Sequence, residues 1–83
     1  MNDMDANKIN DFLVKSNWFS SFILREVKSA NQYYKIIEFP MHLSYDQMDN
    51  LDTFMVSLGF KSLTIPNKNV YVKKSKSYSF SSV

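Results

Sequence analysis

The fold is decided by residues 44–60, SYDQMDNLDTFMVSLGF. Ser44 followed by Gln47 predicts a capping box, in which the two side chains bind the free N–H groups at the start of a helix. Gly59 predicts the end of that helix, because glycine adopts the left-handed conformation of a closing residue at no steric cost. The stretch therefore predicts one helix with a defined start and end. Its expected apolar stripe is Tyr45, Met48, Leu51, Met55 and Leu58.

Upstream of this stretch, the spacing of apolar residues predicts a first helix that begins at Asp5. Asp5 is a favourable N-cap, and Met4 and Ile9 have the spacing of a hydrophobic staple across it. Asn17 predicts a left-handed residue at the end, with Trp18 folding back on the last turn. A continuation of the helix to about residue 20 is the alternative.

Between the two helices the pattern changes to that of a β-hairpin. Residues 22–28 and 33–39 are rich in β-branched and aromatic side chains, which favour strands. A two-residue turn at 30–31 sets Glu26 opposite Lys35, so register and charge agree; a four-residue loop is the alternative.

A second hairpin follows the second helix, with strands at 61–65 and 69–73 around a turn at 66–68. The resulting order, α-β-β-α-β-β, predicts an α+β fold: one small domain over residues 1–73, with an antiparallel sheet and helices packed on one face. Residues 74–83 are expected to be a frayed extension of the last strand or a disordered tail.

The counts of reactive residues argue against catalysis. The 83 residues include no Cys, one His and one Gly. Disulfides, thiolate zinc sites and sites that need several imidazoles are therefore excluded, and no metal or cofactor is expected. A glycine-rich phosphate loop is excluded as well, since Gly59 closes a helix. His42 lacks a motif that would place a nucleophile or carboxylate beside it, so a non-enzymatic protein is predicted.

The charge is divided along the chain. Residues 1–60 hold eight acids and five bases, a net of −3, whereas residues 61–83 hold five lysines and no acid, a net of +5. The acidic start has no apolar run of signal or membrane length, so a cytoplasmic location and no membrane partner are expected. Nine of the ten bases are Lys and Ala occurs twice, a bias that suggests an AT-rich genome, that of a bacteriophage or a low-GC bacterium.

Several side chains are candidates for contacts with a partner. The lysines near the C-terminus alternate with serines and are followed by aromatics, a pattern suited to phosphates and unpaired bases. Adjacent Tyr33 and Tyr34 place one ring on each sheet face. The candidate partner or nucleic-acid contacts are Lys68, Lys73, Lys74, Lys76, Tyr78, Phe80, Tyr34, Lys35 and Trp18. Asp46, Asp49 and Asp52 are either a solvated helix face or an acidic partner face.

These features predict a small non-enzymatic binding protein that docks on a larger macromolecular partner, with a protein partner favoured. A phage-encoded inhibitor or modulator of a host enzyme or defence factor is one such protein. The alternative is an RNA-binding or single-stranded nucleic-acid-binding protein that uses the basic C-terminal hairpin and tail. Pairing of exposed sheet edges into a homo-oligomer is compatible with either function.

Overall fold

The computed structural model describes residues 3–18, 21–63, 65 and 68–76. Two helices and four strands follow in the predicted order, which is confirmed. They are α1 Met4–Lys15, β1 Ile23–Ser29, β2 Gln32–Phe39, α2 Tyr45–Ser57, β3 Lys61–Leu63 and β4 Asn69–Ser75. The strands form one antiparallel sheet in the order β1-β2-β4-β3. The fold is α+β, as predicted.

The hairpin of β1 and β2 has the predicted register. Ala30 and Asn31 form its two-residue turn with φ of 51° and 66°, and Glu26 lies opposite Lys35. Positive φ at both turn residues matches the right-handed twist of the flanking strands. This turn fixes which side chains of β1 and β2 share a face.

The second hairpin joins the sheet through β4, which pairs with β2 on one side and with β3 on the other. β3 has three residues and ends at Leu63, earlier than the predicted strand. β4 continues to Ser75, so residues 74 and 75 extend the last strand. Most of the predicted turn at 66–68 and residues 77–83 of the predicted tail lie outside the described residues.

The start of α1 differs from the prediction. Asp3, not Asp5, is the N-cap, and its side chain accepts the N–H of Ala6 at 3.0 Å. Met4 is 68% exposed, so the predicted staple with Ile9 is wrong. Asp5 instead lies in the first turn, where its carboxylate binds lysines of the sheet.

Both helices end as predicted. Asn17 has φ of 61° and Gly59 has φ of 91°, and each is followed by a residue that donates its N–H back to the last turn. Trp18 donates to the Leu13 carbonyl at 3.0 Å, and Phe60 to the Met55 carbonyl at 3.1 Å. Both ends are thus Schellman motifs.

The start of α2 also matches the prediction, since the Ser44–Gln47 capping box is present. One residue of its predicted apolar stripe is misplaced: Tyr45 is 88% exposed. Tyr45 is the first helical residue of α2. The buried core joins both helices to one sheet face and comprises Ile9, Leu13, Ile37, Phe39, Leu51, Met55, Phe60 and Tyr71.

Candidate functional site

The helices cover one face of the sheet, and no helix among the described residues covers the other. Ile37 and Phe39 of β2 point to the helices and are buried. Because successive strand residues point to opposite faces, Ile36 and Tyr34 point away from the helices. We call this second surface the open face. By strand register it consists of Ile23, Arg25, Val27, Ser29, Gln32, Tyr34, Ile36, Glu38, Lys61, Leu63, Val70, Val72 and Lys74. Val70 is buried, at 6% exposure.

The middle row of the open face crosses all four strands. Arg25 pairs with Ile36, Ile36 with Val72, and Val72 with Lys61. Ile36 and Val72 are half-buried, whereas Arg25 and Lys61 are exposed. The two cations stand three strand spacings apart, about 14 Å. The row is therefore apolar in its centre and positively charged at both ends.

The neighbouring row places the half-buried ring of Tyr34 between Val27 and the exposed Lys74. Glu38, one row beyond the middle, is the acid of the open face. The face thus carries three bases, Arg25, Lys61 and Lys74, against one acid. Its net charge is positive.

A notch of about 420 Å³ opens where β3 begins. β3 pairs with β4 only as far as Val72, so β4 continues past it along a side that no strand occupies within the described residues. The notch is lined by Tyr34, Gly59, Lys61, Val72, Lys73 and Lys74. The side chains of one tyrosine and three lysines therefore line one recess at the border of the open face, and the ammonium of one of them, Lys73, binds Asp5 on the helix side.

Two of the predicted contact residues lie in a buried ionic cluster on the helix side, which consists of Asp3, Asp5, Lys35 and Lys73. The Lys35 Nζ is 2.7 Å from the Asp3 carboxylate and 3.2 Å from that of Asp5. The Lys73 Nζ is 3.0 Å from Asp5 and lies 5.2 Å from the centre of the Phe60 ring. These contacts hold the first turn of α1 against β2 and β4.

Lys35 is held in its charged form by this cluster. Burial by itself lowers the pKa of its ammonium, but hydrogen bonds to Asp3 and Asp5 and the charges of those carboxylates outweigh burial. The pKa therefore lies above its usual value of 10.5. At 7% exposure, Lys35 presents little surface to a partner.

The other predicted contact residues are divided between surface and core. Trp18 is half-buried and meets Phe12 edge-on at 5.4 Å, so it packs against the core. Lys68 and Lys76 are exposed, Lys68 in the connection between β3 and β4 and Lys76 directly after β4. Tyr78 and Phe80 lie outside the described residues.

The predicted acidic face is on α2, which carries no base. Asp46 and Asp49 are exposed. Asp52 is half-buried and accepts a hydrogen bond from the Tyr71 hydroxyl at 3.3 Å. Burial and, secondarily, the charge of Asp52 raise the pKa of Tyr71 to about 12. Asp52 thus contributes to the packing of α2 on the sheet, whereas Asp46 and Asp49 point to solvent.

A cleft of about 590 Å³ lies at the start of α2, and His42 contributes to its lining. Met41, Met48 and Ile65 supply apolar walls, and Lys68 supplies a charge. In the part of the chain that the structure describes, no group of three His, Cys, Asp or Glu side chains is placed to hold a metal ion. The described lining of the cleft thus has apolar walls but no assembled catalytic group.

Arg25 and Lys61 of the open face are not among the sequence-predicted contacts. The signal for Arg25 is present in the sequence, because the predicted hairpin register sets it opposite Ile36, on the side away from Ile37. Lys61 has no such signal. Its place depends on β4 inserting between β2 and β3, which the local sequence does not indicate.

None of the described helices has the length and apolarity needed to cross a membrane. Comparison with protein-family models, with curated proteins and with solved structures finds no match to this chain.

Proposed function

We propose that the protein is a non-enzymatic binding protein whose open face docks on an acidic surface of a larger protein. The observation that carries this proposal is the middle row, in which Ile36 and Val72 are flanked by Arg25 and Lys61. An apolar centre with a charged rim is the usual anatomy of a protein interface.

The charge of the face supports an acidic partner surface. Three bases and one acid on the open face repel a basic surface and attract an acidic one, which raises the rate of association. Exposed Asp46 and Asp49 lie on α2, in the helix layer. The protein therefore has a positive sheet face and a negative helix, and this arrangement orients it as it approaches an acidic partner.

The described residues include no assembled catalytic group, which supports binding rather than catalysis. His42 is exposed, and no hydrogen bond or ion pair is found for it within the described residues. A general base acts within hydrogen-bonding distance of the proton that it removes and is oriented by a second group. The hypothesis of a phage-encoded inhibitor of a host enzyme or defence factor rests on composition and stays a prediction.

Single-stranded nucleic acid is the second candidate partner, and the notch favours it. The Tyr34 ring can stack on an unpaired base while Lys61 and Lys74 bind the adjoining phosphates. Together with Arg25 this gives about three phosphate contacts. For a single strand, the logarithm of the binding constant should then fall by about 2 for each tenfold rise in salt.

The experiment compares two double variants that remove the same charge. Lys61→Gln/Lys74→Gln changes the open face, and Lys8→Gln/Lys15→Gln changes two exposed lysines of α1. Proteins are recovered from extracts of the native source with each variant, with and without nuclease. We expect a protein partner that survives nuclease, binds the wild type and the α1 variant, and is lost by the open-face variant.

A second measurement tests the nucleic-acid candidate directly, by fluorescence anisotropy of labelled oligouridylate and oligothymidylate with a salt series. Binding with the expected salt slope, lost only in the open-face variant, would replace the protein partner by nucleic acid. Equal loss in both double variants would contradict a role for the open face, because net charge alone would then explain the result.

A further inference from the structure

β1 is a long edge strand that has only one of the usual protections against pairing with another strand. It pairs with β2 along its whole length, Ile23–Ser29, and with no other strand among the described residues. Its register is continuous, so it has no bulge, and it contains no proline. Short strands, bulges, prolines and charges are the features that normally protect an edge. β1 has only the last of these.

The charges of β1 are self-complementary in one register. A symmetric antiparallel pair of β1 strands sets one residue opposite its own copy, and residues equally far from that point face each other. With the helices of both copies on one side, the registers that pair most of β1 centre on Arg25, Glu26 or Val27. The first two place like charges directly opposite, which is destabilising.

The register centred on Val27 replaces this repulsion by attraction. Glu26 then lies opposite Lys28 of the second copy, and by symmetry this pair occurs twice. Val27, which is 38% exposed, lies against its own copy on the open-face side. Arg25 faces Ser29, which carries no charge. Opposite charges and apolar side chains on facing positions are the pairs that stabilise adjacent strands.

The surroundings of β1 leave room for a second copy. Lys28 is exposed and lies 5.4 Å from the Tyr33 ring of the same chain, and Ser29 is exposed as well. Ile23 at the start of the strand is 40% exposed. Within the described ranges, no helix therefore covers residues 27–29 at the end of β1.

We propose that the protein forms a two-fold dimer by antiparallel pairing of β1 with β1 of a second copy, with Val27 on the symmetry axis. The dimer joins two four-stranded sheets into one and places both open faces on the same side. The proposal rests on the edge of β1 and is independent of what the open face binds.

The first test is sedimentation velocity over a concentration series. The wild type should shift from monomer to dimer with rising concentration. Lys28→Glu places the new acid opposite Glu26 of the other copy, and by symmetry this occurs twice. We therefore expect the dissociation constant of the dimer to rise about tenfold or more. The matched control, Lys74→Glu, makes the same charge change on β4 and should leave the dimer intact. A wild type that stays monomeric throughout, or equal weakening by both variants, would overturn the proposal.

The second test fixes the register and uses the absence of cysteine from the chain. Directly opposite residues have Cα atoms about 4.5 to 5.5 Å apart, within the range of a disulfide. Val27→Cys should therefore form a disulfide-linked dimer under mild oxidation. Arg25→Cys sets its two thiols about 13 Å apart along the paired strands and should not. Cross-linking through Arg25→Cys but not through Val27→Cys would contradict the register.

Discussion

Replacing Lys35 with Met tests how the ionic cluster holds α1 on the sheet. Met matches the straight chain of Lys but lacks the ammonium that lies 2.7 Å from the Asp3 carboxylate. The side chains of Lys35 and Asp3 are 9% and 1% exposed, so water has little access to either charged group. In the variant, the Asp5 carboxylate keeps the Lys73 ammonium at 3.0 Å, whereas the Asp3 carboxylate loses the Lys35 ammonium.

The expected loss of stability is large for a domain of this size. Removing one partner of a buried ion pair costs about 3 to 5 kcal/mol, because the other charge stays buried without compensation. A chain of 83 residues has a total free energy of unfolding of about 4 to 12 kcal/mol. Lys35→Met should therefore lose about a quarter or more of the free energy of unfolding.

A companion variant keeps the test informative if Lys35→Met does not fold. Adding Asp3→Asn removes the negative charge that has lost its lysine and leaves a side chain that caps a helix about as well. The double variant should recover most of the loss. Lys8→Met, an exposed position on α1, is the matched control and should change stability by no more than about 0.5 kcal/mol.

Urea unfolding followed by the fluorescence of Trp18 measures all four proteins, since this single tryptophan packs against Phe12 of α1. Equal stability of Lys35→Met and Lys8→Met would refute the assignment of a stabilising role to the buried pair. A double variant as unstable as Lys35→Met alone would refute the specific role of the Asp3 charge.

Three further predictions concern turns and pH. Ala30→Gly should raise the free energy of unfolding by about 0.5 to 1 kcal/mol, because glycine removes the strain of a φ of 51°. A lower stability in urea unfolding would contradict the positive φ at this turn residue. Gly59→Ala should lower the free energy of unfolding by about 1 to 2 kcal/mol. The cost comes from the φ of 91° alone, since an added Cβ would lie an ordinary 3.5 Å from the Lys73 side chain. An unchanged midpoint of urea unfolding would contradict this. The pKa of Tyr71 is raised from 10.0 to about 12, so its protonated hydroxyl stabilises the folded state fully below pH 10, and about 2 to 3 kcal/mol of stability is lost as pH rises towards 12. The free energy of unfolding of Tyr71→Phe should therefore fall less steeply than that of the wild type in this pH range. An equally steep fall would contradict the raised pKa.

The local features of the fold could be predicted because their causes lie within a few residues. The capping box needs Ser44 and Gln47, and the end of α2 needs Gly59, so each is visible in a short window. The β1–β2 register follows from the two-residue turn and the opposite charges of Glu26 and Lys35. Residues close together in the sequence are therefore sufficient to specify these elements.

The ionic cluster depends on residues far apart in the chain. The prediction of Asp5 as the N-cap of α1 is wrong for this reason, because the cluster determines which aspartate caps the helix. Asp3 and Asp5 both suit an N-cap, and only the position of Lys35 on the sheet decides between them. One signal was present: Lys35 alternates in phase with Ile37 and Phe39, which places it on the buried face. A lysine there implies an acidic partner.

The open face could be predicted only in part. The sequence indicated that Tyr33 and Tyr34 point to opposite faces, and the hairpin register placed Arg25 beside Ile36. The rest of the face depends on β4 pairing with β2, which brings Val72 and Lys74 next to β2, with Lys61 beyond them on β3. The order of strands is a tertiary property, set by how both hairpins pack under the helices.

Photo-cross-linking tests the role of the open face most directly. A benzoylphenylalanine is placed at Tyr34 on the open face or at Val14, which is 70% exposed on α1, and the protein is irradiated in cells of its native source. Adducts to a second, larger protein from position 34 and not from position 14 are the predicted result. Adducts from position 14 alone would contradict the account, because the partner would then contact the helix layer.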